Sequence, residues 1–362
     1  MASATAATED KRELSRLRYE VESYSTSIHD DEARFTVRRN GKAFYIRVSP
    51  PQFVNSPATT EKYLSYLEVL KSGEEVINDI FDTDVLEWAT QPFEPFFAEL
   101  APSPVPPECY KDIRVTLWES LDPDVIVLAL DAVDEELRPR QVETEHSPFR
   151  PPGAWVESDL LDDVETWTTI YDPSKVILSF DNPEDALFKP PRKVLIDDGQ
   201  TECFFKPCDS TVQTTNELNA YKKITAAGLG PQLHICRLYG VVYDHGLVVG
   251  LLLTYIDHGG CPMSSRVDPD YPPAPVKRRW ASQIDTALAE LHKAGIVWGD
   301  VKAENVLIDQ DDNAWITDFG GGYTRGWVSE KTAGTVEGDL EGMAKLRQYI
   351  FQVEGQDRWW TG

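Results

Sequence analysis

Asp300-Val-Lys302-Ala-Glu-Asn305 is followed, thirteen positions after the Asn, by Asp318-Phe319-Gly320. Two carboxylates, a lysine and an amide at this spacing suit the handling of phosphate. Phosphoryl transfer asks for a carboxylate that orients an acceptor hydroxyl and takes its proton. It also asks for a lysine that neutralises charge on the moving group, and for oxygen ligands to the Mg²⁺ ions that bridge the phosphates. Asp300 and Lys302 fit the first two tasks. Asn305 and Asp318 fit the third, because Mg²⁺ prefers hard oxygen ligands and keeps several waters. The plainer reading, in which Asp300 and Asn305 cap turns beside a strand, accounts for each residue alone but not for the set.

These groups need elements that hold them together. Val306-Leu-Ile-Asp309 reads as a short buried strand, Gln310 to Asn313 as its turn, and Ala314-Trp-Ile-Thr317 as the returning strand. That hairpin would bring Asp300, Asn305 and Asp318 near one another. Upstream, Ala281 to Lys293 carries Ile284, Leu288 and Leu291 on one face and predicts an amphipathic helix stopped by Gly295. Lys175 to Phe180, Lys193 to Ile196 and Glu202 to Lys206 read as three successive strands. Thr214-Thr-Asn-Glu217 then opens a helix with Leu218, Tyr221 and Ile224 in its periodic positions. Taken locally, Glu217 is the acid of a capping box with Thr214, and Lys206 is an end-of-strand lysine. Gly250 to Gly260 reads as a buried strand and the residues leaving it.

The combined pattern resembles the protein-kinase-like superfamily over about residues 170–345, most closely from Leu291 to Gly322. The resemblance implies ATP and Mg²⁺ as cofactors. It makes Asp300 the catalytic carboxylate, Lys302 the γ-phosphate contact, and Asn305 and Asp318 the metal ligands. Lys206 becomes the strand lysine that contacts the α- and β-phosphates, ion-paired with Glu217. The carbonyl of Thr254 and the N–H of Ile256 would face the adenine, with Leu253 as gatekeeper. Asp339 would brace the catalytic loop from beneath.

The chain also departs from the pattern. Between the first two strands a Gly-x-Gly-x-x-Gly loop is expected, yet Asp181 to Arg192 holds no glycine, and its prolines remove donors. Lys189 or Arg192 would supply charge there. Trp298-Gly299-Asp300 stands where protein kinases have His-Arg-Asp, so activation through a loop phosphate is not expected. Gly299 resembles the His-Gly-Asp of aminoglycoside and choline phosphotransferases, whereas Lys302 resembles the Ser/Thr protein kinases. Only twenty-one positions separate Asp318 from Asp339, with no Ala-Pro-Glu between them. That segment is short for docking a peptide, and the large lobe reads as truncated, similar to compact kinase-like proteins of filamentous fungi.

The formal charge of −26 repels nucleic acid and anionic membrane and favours a cationic acceptor, although it also serves solubility. Five scattered cysteines lack metal-ligand spacing and read as reduced thiols in a cytoplasmic protein. The first residues lack a basic stretch followed by an apolar one, so no signal peptide is expected. The apolar run Gly246 to Ile256 is too short to span a bilayer.

Residues 1–15 read as disordered and 16–165 as an accessory region. Asn40-Gly41 predicts a type I′ hairpin between Arg34–Val37 and Ala43–Ile46. Helical spacing links Tyr63, Leu64, Leu67 and Leu70 to Val76, Ile77, Ile80 and Phe81, and continues through Val85, Leu86 and Trp88. Ile113 to Leu117 and Val125 to Leu130 read as strands, and 138–155 as a linker. The expected fold class is α+β: a mixed α+β accessory region, then a bilobal kinase-like domain over 166–362. Its small lobe covers about 166–256 and its large lobe, truncated, about 257–362. The expected function is ATP- and Mg²⁺-dependent phosphoryl transfer to a hydroxyl, with a small molecule favoured over protein as acceptor. The alternatives are a pseudokinase acting as a binding or scaffold module, and another ATP-dependent transfer or activation reaction on the same fold. The oligomeric state is left open.

Overall fold

The Asn40-Gly41 hairpin forms as its residues predict. Both take positive φ, 46° and 75°, as a type I′ turn requires. In the structure, a computed structural model, this turn joins β2 (Ala33–Arg39) to β3 (Lys42–Val54), with β1 (Glu20–Thr26) preceding them. The structure describes residues 18–72, 76–102, 114–144, 152–157, 160, 163–257, 262–267 and 272–351. The expectation of disorder over residues 1–15 lies outside the described residues.

The chain forms two compact units. The first comprises residues 1–151 and 177–191, the second 152–176 and 192–362. In the first, α1 (Pro57–Ser72), the short hairpin β4 (Val76–Ile77) and β5 (Ile80–Phe81), α2 (Asp82–Thr90), α3 (Glu94–Leu100) and α4 (Leu117–Leu121) lie between β3 and β6 (Asp124–Val133). β7 (Glu136–Gln141) completes a sheet of order β1-β2-β3-β6-β7. β3 and β6 are parallel, so the chain between them must cross over, and the helices make that crossover. Phe35, Phe44 and Ile46 from the sheet pack with Tyr63, Phe93 and Phe97 from the helical side. Burying each such side chain contributes about 1.5–3 kcal/mol.

Three expectations in this unit are corrected. Residues 76–81 are a hairpin and not a continuation of helix, because Asn78 and Asp79 adopt positive φ and turn the chain. Leu117 begins a helix and not the end of a strand. Thr116 accepts a hydrogen bond from the Glu119 N–H while the Glu119 side chain returns to the Thr116 N–H, a reciprocal cap that fixes a helical start. Ile113 lies outside the described residues. The stretch from 138 is not all linker, since β7 runs to Gln141 and pairs with β6; residues 145–151 lie outside the described residues.

The second unit opens its sheet with β8 (Thr169–Tyr171). The two-residue β9 (Ile177–Leu178) that follows belongs to the first unit and is all that forms of the strand expected over 175–180. Pro173 starts a 3₁₀ turn there, capped by Asp172, and shortens the strand. β10 (Lys193–Ile196), β11 (Thr201–Pro207), β12 (Leu238–Asp244) and β13 (Leu247–Thr254) complete the order β8-β12-β13-β11-β10 within this unit. Helix α5 (Thr211–Ala226) lies between β11 and β12. Its cap is Ser210, whose side chain accepts the Gln213 N–H, so Thr214 and Glu217 do not form the capping box and Glu217 is left inside the helix.

Helix α6 (Ala274–Lys293) starts two turns earlier than its apolar face predicts and ends before Gly295 at φ 69°. The expected hairpin forms as β14 (Val306–Ile308) and β15 (Ala314–Ile316). Helix α7 (Val336–Phe351) follows, and its Gly342 packs on Val301, where a Cβ would lie 2.7 Å from the valine Cβ. The fold class is α+β. Among the described residues no helix is long and apolar enough to cross a membrane.

Candidate active site

β11 and α5 meet at an ion pair. Lys206 Nζ donates to Glu217 Oε2 at 2.8 Å and to Asp318 Oδ1 at 3.0 Å. Burial alone would lower the Lys206 pKa, but the charges of Glu217 and Asp318 outweigh it and hold the ammonium above its ordinary value. Burial raises the Glu217 carboxyl, and the lysine charge offsets this only in part. Glu217 Oε1 is buried with no hydrogen-bond partner among the described residues. The Phe319 ring stands edge-on to Tyr221 of α5 at 5.5 Å, which ties the Asp318 segment to the helix that carries Glu217.

The loop before β14 builds the second half of the site. Lys302 Nζ lies 2.7 Å from Asp300 Oδ2. Asn305 Nδ2 donates to the same oxygen at 3.0 Å and to the Asp300 carbonyl at 2.9 Å. Asp339, almost fully buried on α7, accepts the N–H groups of Trp298 and Gly299 at 2.8 Å each, and His292 Nε2 lies 2.8 Å from its Oδ2. Gly299 has φ 89°, and a Cβ there would sit 3.3 Å from the Gly321 Cα. An arginine at 299 would therefore meet both backbone strain and a crowded neighbour.

Residues 206–344 match the protein kinase domain family. That match, 139 of the 362 residues, supports a protein-kinase-like domain in this part of the chain. Among curated relatives, it is 36% identical over 88 residues to the serine/threonine-protein kinase grp of Drosophila melanogaster, which is 24% of this chain and 17% of that protein. It is 28% identical over 127 residues to the cAMP-dependent protein kinase type 3 of Saccharomyces cerevisiae, 35% of this chain and 30% of the relative. It is 30% identical over 112 residues to the maternal embryonic leucine zipper kinase of Xenopus tropicalis, 31% of this chain and 16% of the relative. The chain thus spans less than a third of the length of each of these relatives.

In the kinase-like domain, Lys206, Glu217, Asp300, Lys302 and Asp318 line one cleft of about 330 Å³. Thr254, Ile256 and Asn305 are not among its lining residues. Thr254 closes β13: its N–H donates to the Arg237 carbonyl and its Oγ1 accepts the Arg237 N–H, both at 2.9 Å. Ile256 is buried just beyond. Asn305 is buried, and its carbonyl accepts both the N–H and the hydroxyl of Thr317 at 3.0 Å. Lys189, one of two cations expected to replace a glycine loop, is ion-paired with Asp185 at 2.8 Å inside the first unit; Arg192 is exposed.

Thr324 is a site residue that sequence reasoning did not place. Its hydroxyl donates to Asp300 Oδ1 at 3.0 Å and accepts from Lys302 Nζ at 3.1 Å, so it bridges the two. The only signal for it was its position four residues after Gly320, in a glycine run that lets the chain turn back over the loop. Gly322 packs on the Asp300 side chain, where a Cβ would lie 3.4 Å from Oδ2. Thr324→Val keeps the shape and removes both bonds. Its expected effect is about a tenfold fall in kcat with a small change in nucleotide affinity, measured by steady-state kinetics and calorimetry.

Proposed function

We propose that the kinase-like domain is an ATP- and Mg²⁺-dependent phosphotransferase acting on a hydroxyl acceptor. The observation that carries this reading is the convergence of Lys206, Glu217, Asp318, Asp300 and Lys302 on one cleft. Asp300 takes the acceptor proton. Its Oδ1 receives one hydrogen bond from Thr324, and a carboxylate oxygen accommodates a second, from the acceptor hydroxyl. Lys302 holds positive charge beside it for the transferred group, and Lys206 holds positive charge for the remaining phosphates. Thr254 and Ile256 lie at the end of the strand that would present the adenine edge.

The residues present fit Mg²⁺. Both bonds that reach Asp318 fall on Oδ1, and the side chain is 42% exposed, which leaves a hard carboxylate oxygen for a metal. Asn305 commits its amide N–H groups to Asp300 and keeps its amide oxygen. No cluster of three or more His, Cys, Asp or Glu suited to a metal occurs among the described residues. One carboxylate plus one amide oxygen is the share expected of a protein that binds Mg²⁺ together with nucleotide phosphates. When bound, the ion would neutralise phosphate charge.

Two acceptor classes follow from two observations. The short stretch from Gly320 to Gly338 favours a small hydroxyl compound, with a cationic group suited to the acidic chain. The curated relatives are protein kinases by name, which favours a protein hydroxyl. Turnover measured with amine-bearing alcohols and with basic proteins separates the two. Under either, nucleotide at a hundred times its dissociation constant should stabilise the fold by about 2.7 kcal/mol. A thermal-shift and calorimetric series with ATP, ADP and Mg²⁺ tests this, and no response at millimolar nucleotide would remove the phosphotransfer reading.

A further inference from the structure

Asp318 takes a left-handed backbone, which Asp adopts more readily than most non-glycine residues. Its φ is 59°, at the edge of what a side chain tolerates without support from its surroundings. The peptide before it is firmly held. Thr317, the preceding residue, is tied on three sides. Its N–H and its hydroxyl both donate to the Asn305 carbonyl at 3.0 Å. Its own carbonyl accepts the indole N–H of Trp298 at 2.8 Å.

Trp298 is in turn fixed. It is fully buried, and its backbone N–H donates to Asp339 at 2.8 Å. An unbroken chain of contacts thus runs from Asp339 through the Trp298 main chain to its indole, and from there to the peptide that joins Thr317 to Asp318. The carbonyl held by the indole belongs to that same peptide, so its orientation sets ψ of Thr317 and the direction in which Asp318 leaves β15.

We propose that Trp298 is a positioning residue for the metal-facing carboxylate, with its indole N–H clamping the Thr317 carbonyl so that Asp318 keeps its left-handed backbone. The metal role of Asp318 rests on the phosphotransfer reading above; the clamp itself does not. The indole does two separable things. Its bulk fills the core, and its N–H makes one directed bond. Two substitutions divide them. Trp298→Phe keeps a six-membered ring and loses the donor. Trp298→His loses bulk but overlays its five-membered ring on that of indole, with Nε2–H where the indole N–H was.

The experiment compares both variants with the parent protein in three measurements. The first is thermal stability. The second is the Mg²⁺ concentration needed for half-maximal nucleotide binding, followed by calorimetry. The third is backbone hydrogen exchange over 315–320 in protein without nucleotide or metal. The expected result for Trp298→Phe is about a tenfold rise in the Mg²⁺ requirement, since a half-buried carbonyl loses its partner. Exchange over 315–320 should quicken in parallel. Trp298→His should stay within about threefold of the parent in both, although it packs less well and melts lower. If both variants weaken Mg²⁺ dependence and exchange protection only in proportion to their loss of melting temperature, Trp298 is a packing residue and the proposal falls. If the parent protein binds no Mg²⁺–nucleotide, the phosphotransfer reading fails. The exchange comparison then decides the clamp alone: faster exchange in Phe than in His upholds it, and equal exchange overturns it.

Discussion

Asp300→Asn is expected to abolish turnover while leaving nucleotide binding nearly intact. The change keeps the size of the side chain and an oxygen that can still accept from Thr324. It removes the group able to take a proton. It also sets a neutral amide beside Lys302 Nζ and Asn305 Nδ2, where a carboxylate oxygen now receives both. Loss of a positioned general base commonly costs about 10²–10⁴ in rate. Of the residues proposed for nucleotide and metal, Lys206, Glu217 and Asp318 are bonded to one another and not to the Asp300 carboxylate, so their arrangement should survive, and Asn305, which does donate to that carboxylate, keeps its bond to the Asp300 carbonyl. Steady-state turnover alongside calorimetric titration with Mg²⁺–ATP checks both halves. Full turnover in the purified variant would show that another group takes the proton.

The second large effect is expected on stability. Asp339→Ala should cost the second unit about 3–5 kcal/mol. The buried carboxylate accepts two backbone N–H groups and contacts His292, so its removal leaves the N–H donors of Trp298 and Gly299, one buried and one half-buried, without partners. Against a typical total of 5–15 kcal/mol, that is a large share. Urea titration followed by tryptophan fluorescence should show a much lower midpoint with little change in slope. A variant within about 1 kcal/mol of the parent would mean that water reaches those two amides.

Some of this structure is written in short-range chemistry. Asn40-Gly41 specifies its hairpin because few residues other than Asn and Gly take positive φ at low cost. β14 and β15 follow from two apolar runs around a polar turn, and α6 from its apolar spacing. Other elements were decided by a single competing local choice. Val76, Ile77, Ile80 and Phe81 fit a helical period, but Asn78-Asp79 between them can turn, and the turn prevailed. Thr116 and Glu119 imposed a helix on residues that otherwise suit a strand. Ser210 took the cap that Thr214 was expected to provide.

The site divides in the same way. Lys206 and Glu217 are ambiguous when read locally, and their meeting at 2.8 Å depends on how α5 packs beside β11, which only the downstream motifs suggested. Thr324 and the Trp298 indole carry no local signature. Their partners are chosen by where the chain returns after Gly320 and by the course of β15, and both are tertiary outcomes.

The division of the chain into units has a consequence for biosynthesis. Residues 177–191 belong to the first unit, while 152–176 belong to the second, so the polypeptide passes between them three times. A ribosome that has finished Pro151 has not yet delivered everything the first unit contains. It must first extrude a stretch that will be used elsewhere, and then the fifteen residues that complete the earlier structure. Domains usually mature in the order in which they are made. Here the earlier one would wait, and neither can be released from the other by a single proteolytic cut.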